Sequence, residues 1–221
     1  MKLLIEALVK FTCGLLLVGL LIFLPAGTIQ YTYGWLFVGL LFVPMLIAGF
    51  VMLAKSPDFL KKRLDAKEKQ ATQKGVLGMA GLMFIAGFVV AGLDFRFGWS
   101  VMPRWVTIVA SVLFLVSYAL YAEVMRENAY LSRTIKVEEG QKVVDTGLYS
   151  IVRHPMYAVT ILLFMVMPLV LGSWYALIPF AFYPAIIIVR LKDEEELLSK
   201  ELPGYEEYKQ KVKYRIIPFV W

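Results

Sequence analysis

Polar side chains of the kinds that bind charged ligands concentrate in two segments of an otherwise apolar chain. The first segment covers residues 141–157 and the second covers residues 190–214. Between them, Gly172 and Ser173 interrupt an apolar block at residues 156–189, and this pair predicts a turn between two helices. Since a helical hairpin returns to the side that it left, we expect both polar segments to meet at one membrane surface.

The first polar segment contains the start of a predicted helix. Pro155 follows Arg153 and His154, and proline is favoured in the first turn of a helix. Helix starts also favour negative ligand groups, and a histidine titrates near neutral pH. The alternative interpretation is that these three residues are only an interfacial helix start.

The second polar segment begins with a pair of opposite charges. Arg190 and Glu194 are four residues apart, so they share one face of a helix. The alternative interpretation is a surface ion pair, which contributes at most about 1 kcal/mol to stability. We expect Glu195 and Glu196 to be solvated. Further along, Tyr205 and Tyr208 predict an amphipathic tail against the membrane edge.

Four further apolar stretches have about the length of 20 residues that a membrane-spanning helix needs. They cover residues 8–26, 35–53, 75–93 and 105–121. The chain of 221 residues is 60% hydrophobic with a mean hydropathy of +0.70. We therefore predict an all-α, polytopic membrane helix bundle of about six spans. Its last two spans form the hairpin, in which Pro179 and Pro184 predict a kink, and a tail helix follows on the cytoplasmic side.

The distribution of basic residues predicts the orientation. With six spans and a cytoplasmic N-terminus, only Arg96 and Arg104 of the 23 Lys and Arg residues fall in outer loops. Basic residues favour the cytoplasmic side, so both termini and both polar segments are predicted to lie there. A five-span arrangement would put the basic tail outside.

Several functional classes are excluded or disfavoured by composition. Cys13 and His154 are the single residues of their types, which excludes an intramolecular disulfide and a metal site built from several Cys or His ligands. The positive-inside pattern explains the net charge of +6, so we expect no nucleic-acid partner. Gly75, Gly78 and Gly81 have spacings that permit close helix contacts, and no nucleotide-binding glycine motif occurs.

The spacing of the polar residues resembles that of the isoprenylcysteine carboxyl methyltransferase family and its prokaryotic relatives. The shared patterns are G-x-Y-x-x-x-R-H-P-x-Y, R-x-x-x-E-E-x-x-L, Y-x-x-Y-x-x-x-V and a final I-P. They fall here on Gly147, Tyr149, Arg153, His154, Pro155, Tyr157, Arg190, Glu194, Glu195, Leu198, Tyr205, Tyr208, Val212, Ile217 and Pro218. The resemblance covers about residues 134–221, although the family has a glutamine where Thr134 stands.

The resemblance implies an integral membrane enzyme that transfers a methyl group from S-adenosylmethionine. Glu194 would hold a polar group of this cofactor, plausibly its ammonium, and Arg190 would be the catalytic residue that binds an acidic group of the acceptor. The resemblance implies the cofactor-binding residues Gln141, Lys142, Val143, Val144, Tyr149, His154, Pro155, Met156, Tyr157 and Glu194. Residues 1–122 would be the N-terminal transmembrane region, and residues 123–221 would bind the cofactor and carry out catalysis.

The acceptor that the resemblance implies is a prenylated or other lipid-like carboxylate. A carboxylate is already nucleophilic and needs no general base. A phospholipid amine or a small thiol is an alternative, and an amine would have to be deprotonated by His154 or a glutamate. A membrane sterol-type reductase with a nicotinamide cofactor and a non-catalytic membrane protein are the alternatives of other classes.

Overall fold

A computed structural model describes residues 2–64, 71–131, 135 and 137–221. These residues form helices and connecting loops, with no strand among them. Four helices are long and apolar enough to cross a membrane, so the chain is a multi-pass membrane protein. They are α1 (Lys2–Ala26), α2 (Thr32–Lys55), α4 (Ala71–Phe97) and α5 (Arg104–Glu127). The helices expected for the first four spans are confirmed, and each helix extends beyond the predicted apolar core into flanking polar residues.

A short helix, α3, lies between α2 and α4 and covers Pro57–Leu64. It begins with a proline, which suits the first position of a helix. Leu60 is buried, and the three basic residues of its last turn follow directly. Lys62 forms an ion pair with Glu138, so this basic helix is tied to the polar segment that precedes the hairpin.

The apolar block at residues 156–189 forms the predicted hairpin. Its first arm is α6 (Pro155–Val170), and its second arm is divided into α7 (Leu177–Phe180) and α8 (Tyr183–Glu201). Gly172 has a left-handed backbone at the turn (φ +73°), a conformation that glycine adopts at low cost. The helix of the second arm is interrupted at residues 181–182, between Pro179 and Pro184. Since α6 has only 16 residues, the count of six spans stays a prediction.

The charged tail continues the second arm of the hairpin. α8 runs from its apolar first half into the charged residues up to Glu201. A last helix, α9 (Tyr205–Lys211), follows a turn at Gly204. α5 runs to Glu127, across the predicted boundary at residue 122, and the division into two regions stays a prediction.

Close packing of the helices depends on glycines other than those expected. A Cβ atom at Gly87 would lie 2.3 Å from the ring of Phe180, and one at Gly92 would lie 2.5 Å from the carbonyl oxygen of Ile22. Around Gly75, Gly78 and Gly81, by contrast, the described residues place nothing within 4 Å of such an atom. The described residues thus make no close contact at those three glycines, and the close glycine approaches of α4 lie in its second half.

One end of the bundle is held together by a buried carboxylate. Asp94, near the end of α4, is 2% exposed. It accepts hydrogen bonds from the backbone N–H of Ser100 at 2.7 Å and from the hydroxyl groups of Ser100 and Ser173. The carboxylate therefore joins the loop after α4 to the turn of the hairpin.

Candidate functional site

A cavity lies at the opposite end of the bundle from Asp94. Its walls are the loop between α5 and α6, the first turn of α6, the second half of α8, and α9. Nearly all of the residues predicted to bind the cofactor or the acceptor line it, namely Gln141, Lys142, Val143, Val144, Tyr149, His154, Met156, Tyr157, Arg190 and Glu194. Pro155 is not among its lining residues and is buried as the first residue of α6. Thr134 lies outside the described residues.

The two arms of the hairpin meet at Tyr157 and Glu194. The hydroxyl of Tyr157 donates a hydrogen bond to Oε2 of Glu194, 37 positions along the chain. Tyr157 belongs to the first turn of α6 and Glu194 to the charged half of α8. The prediction that the hairpin brings the two polar segments to one place is confirmed.

Arg190 is held by a glutamine from the amino-terminal half. Nη1 of Arg190 donates a hydrogen bond to Oε1 of Gln73 at 2.9 Å, and Nε2 of Gln73 donates to Oδ2 of Asp193 at 2.8 Å. Gln73 is fully buried and Arg190 is 8% exposed. Sequence reasoning missed Gln73 because it lies in a polar connecting segment, where no pattern distinguishes a buried amide from a solvated one.

Glu195 is buried, so the prediction that it is solvated is wrong. Its Oε1 accepts a hydrogen bond from Nε of Arg153 at 2.7 Å, and its Oε2 accepts one from Nε of Arg215 at 2.8 Å. Nε2 of His154 lies 3.3 Å from Oε1. Glu196 is exposed and pairs with Lys200, as expected for a solvated residue.

The partners of Glu195 decide its charge. Burial raises the pKa of the Glu195 carboxyl, but the hydrogen bonds with His154 and Arg153 and their charges outweigh it, and the pKa falls to about 2. The carboxylate is therefore ionised at neutral pH and joins α8 to the start of α6 and to the chain after α9.

Tyr205 and Tyr208 form part of the cavity wall. They are 4% and 5% exposed and pack with Leu202, Val212 and Val143. The hydroxyl of Tyr208 donates a hydrogen bond to the carbonyl oxygen of Tyr149 at 2.7 Å. The left-handed turn at Gly204 (φ +84°) folds α9 against the cavity, and the position of this tail at the membrane edge stays a prediction.

The loop before α6 is shaped by Gly147 and Glu127. Gly147 has φ +54°, and a Cβ atom there would lie 1.5 Å from Oε1 of Glu127. The Glu127 carboxylate accepts a hydrogen bond from the backbone N–H of Leu148 at 2.9 Å. Nδ2 of Asn128 donates to the hydroxyl of Tyr149 at 3.0 Å. These contacts hold the ring of Tyr149 against the cavity.

The chemistry of the cavity suits a ligand with a cationic end and a flat ring. Glu194 supplies a carboxylate, Tyr149 and Tyr157 supply aromatic rings, and Arg190 supplies a cation. In the described part of the chain, no group of three or more His, Cys, Asp or Glu side chains could hold a metal ion.

Two curated proteins are similar to parts of this chain. The Delta(14)-sterol reductase of Mus musculus is 31% identical over 91 residues, which are 40% of this chain and 22% of the reductase. The uncharacterized protein YpbQ of Bacillus subtilis is 29% identical over 97 residues, which are 43% of this chain and 58% of YpbQ. The matches thus span less than two thirds of either relative.

The model of the isoprenylcysteine carboxyl methyltransferase (ICMT) family matches residues 106–200. This range contains nearly all of α5, the hairpin and the charged half of α8. The matched range starts before Gly147, where the shared motifs begin, and it ends before α9. Residues 106–200, less than half of the chain, are therefore similar to the isoprenylcysteine carboxyl methyltransferase family.

Proposed function

We propose that the chain is an integral membrane methyltransferase that uses S-adenosylmethionine and methylates a carboxylate of a prenylated or other lipid-like acceptor. The observation that carries the proposal is the meeting of Tyr157 and Glu194 in one cavity. Both residues lie in the range that matches the family. Residues from both arms of the hairpin can then contact one bound molecule.

The residues of the cavity fit the groups of the cofactor. S-adenosylmethionine has an ammonium, a carboxylate, an adenine ring and a sulfonium, and it supplies an electrophilic methyl group when it is bound. Glu194 would pair with the ammonium, and Tyr149 and Tyr157 would stack on the adenine or face the positive sulfur. Backbone groups of residues 141–144 would form another wall.

Arg190 would bind the acidic group of the acceptor. Its guanidinium is buried and held by Gln73, which suits it to position a carboxylate. Because an acceptor carboxylate is already nucleophilic, the side chains need mainly to align it and to exclude water. His154 lies against Glu195, so the mechanism assigns it no role as a base.

The apolar helices suggest how a lipid-like acceptor would reach the cavity. Leu16, Leu20 and Leu24 of α1 are each more than half exposed, as expected of a surface that faces lipid. An acceptor with an apolar chain would enter sideways from the bilayer, while the cofactor would enter from the aqueous side. Analogues with a long chain should therefore be turned over faster than short ones, and equal turnover would contradict this route.

The match to a sterol reductase favours a second candidate, a membrane reductase that uses a nicotinamide cofactor. Titration of S-adenosylmethionine and of NADPH into the detergent-purified chain distinguishes the two functions. We expect saturable binding of S-adenosylmethionine. Saturable binding of NADPH, with no binding of S-adenosylmethionine, would overturn the proposal.

Two variants test the assigned roles. Glu194→Ala should weaken S-adenosylmethionine binding about 10- to 100-fold, because a hydrogen bond to a charged group is lost. Glu196→Ala is the matched control, since Glu196 is exposed two residues away and should leave the affinity unchanged.

Arg190→Ala should spare cofactor binding and abolish most methyl transfer in a screen of prenyl, lipid and thiol acceptors. Intact turnover would show that the role of Arg190 is wrong.

A further inference from the structure

The hydroxyl of Tyr205 is a buried polar group without a protein partner. The side chain is 4% exposed and lines the cavity. Among the described residues of the chain, none forms a hydrogen bond with this hydroxyl, and less than 1 Å² of its oxygen is exposed. An unpaired buried hydroxyl is costly. We therefore expect a ligand in the cavity to supply the missing hydrogen-bond partner.

The charges around Tyr205 indicate what kind of ligand group this is. Burial raises the pKa of the Tyr205 hydroxyl, and the nearby carboxylates of Glu195 and Glu194 raise it further, against the opposite effect of Arg153. The hydroxyl therefore stays neutral at physiological pH. Its oxygen can accept hydrogen bonds as well as donate one, and the carboxylate of Glu194 in the same cavity favours a positively charged donor.

We infer that the Tyr205 hydroxyl oxygen accepts a hydrogen bond from the ammonium group of the ligand that binds in the cavity, beside Glu194. This inference rests on the proposed function, which supplies the ammonium. It extends the site beyond the range that matches the family, since that range ends at residue 200. α9 then contributes a ligand contact as well as part of the cavity wall.

Tyr208 provides a matched control on the same helix. It is buried to nearly the same extent and lines the same cavity, but its hydroxyl is already paired with the carbonyl oxygen of Tyr149. Tyr205→Phe and Tyr208→Phe each remove one oxygen and keep the packed ring. Only Tyr208→Phe deprives a protein group of its partner, so only this variant should destabilise the ligand-free chain.

The experiment measures the dissociation constants of S-adenosylhomocysteine and of its deamino analogue, which lacks only the ammonium group. Tyr205→Phe should bind S-adenosylhomocysteine about tenfold more weakly than the wild type and bind the deamino analogue equally well. The Tm of the ligand-free chain should not fall, because the hydroxyl has no protein partner to lose. Tyr208→Phe should lower that Tm and affect both ligands alike.

Three other results would overturn the inference. Unchanged binding of S-adenosylhomocysteine by Tyr205→Phe would show that the hydroxyl has no ligand contact. Equal weakening of both ligands would show that the contact is not to the ammonium. Failure of the wild-type chain to bind S-adenosylhomocysteine would refute the proposed function itself, and this inference with it.

Discussion

The two ends of the bundle each contain a buried carboxylate, but they hold it in different ways. At one end, Asp94 receives hydrogen bonds from neutral donors in two loops. At the other end, Glu195 receives them from the side chains of Arg153 and Arg215 and lies against His154. α4 connects the two ends, since Gln73 in its first turn lies roughly 30 Å from Asp94. Neutral donors suffice to join loops, whereas the cavity end concentrates charge where a charged ligand would bind.

Glu195→Ala should have the largest effect at the cavity end. Removing one partner of a buried ion pair costs about 3–5 kcal/mol, because the remaining charges lose their compensation. The Tm of the chain in detergent should fall strongly. Glu196→Ala, which removes an exposed carboxylate, should change it little. Equal Tm values for both variants would show that the charged cluster does not stabilise the fold.

The second-largest effect is expected from acid, which should destabilise the cavity end of the bundle. The pKa of Glu195 is about 2 in the folded chain and 4.5 for an ordinary glutamate. Its stabilising contribution, about 3 kcal/mol, is therefore complete above pH 4.5 and is lost as the pH falls towards 2. The Tm measured from pH 6 to pH 2 should show this loss. Glu195→Gln should lack it, and an identical pH profile in that variant would assign the loss to other groups.

Asp94→Ala should destabilise the opposite end by about 1–3 kcal/mol, since it leaves buried donors without an acceptor. Ligand affinity should not change, because the cavity is roughly 30 Å away. Asp94→Asn keeps an oxygen acceptor and should cost less. Thermal unfolding and titration with S-adenosylhomocysteine test both statements. A change in affinity without a change in Tm would contradict the separation of the two ends.

Gln73→Ala should have the smallest effect. The rate of methyl transfer should fall about tenfold, because one hydrogen bond that positions Arg190 is lost. The affinity for the cofactor should not change. In the Arg190→Ala background, the same change should have no further effect, because both residues act through one guanidinium. Fully additive losses in the double variant would show that Gln73 acts in another way.

The membrane helices could be predicted from sequence because hydropathy over 20 residues identifies a span directly. The meeting of residues 141–157 with α8 also followed from sequence, since a turn at Gly172 dictates a hairpin. The second arm was harder to predict, because its apolar residues continue through the break before Tyr183. Hydropathy does not reveal where a helix stops within an apolar run.

The burial of Glu195, Tyr205 and Tyr208 could not be predicted from the sequence. Glu194 and Glu195 are neighbours in a run of acidic residues, and adjacent positions on a helix point about 100° apart. Which of the two is buried depends on the distant Arg153 and Arg215. The burial of Tyr205 likewise depends on the fold-back at Gly204. Each of these outcomes is set by tertiary contacts that leave no local pattern.

The shortness of α6 has a consequence for the depth of the cavity. Its 16 residues extend roughly 24 Å, against about 30 Å for the hydrocarbon interior of a bilayer. A bilayer adapts to such hydrophobic mismatch by local thinning, or the helix start lies recessed below the headgroups. If α6 spans the bilayer as predicted, its first turn, with Tyr157, would in either case lie closer to the acyl chains than the ends of α1 and α2. An amphiphile could then present its polar end to the cavity without being extracted from the leaflet.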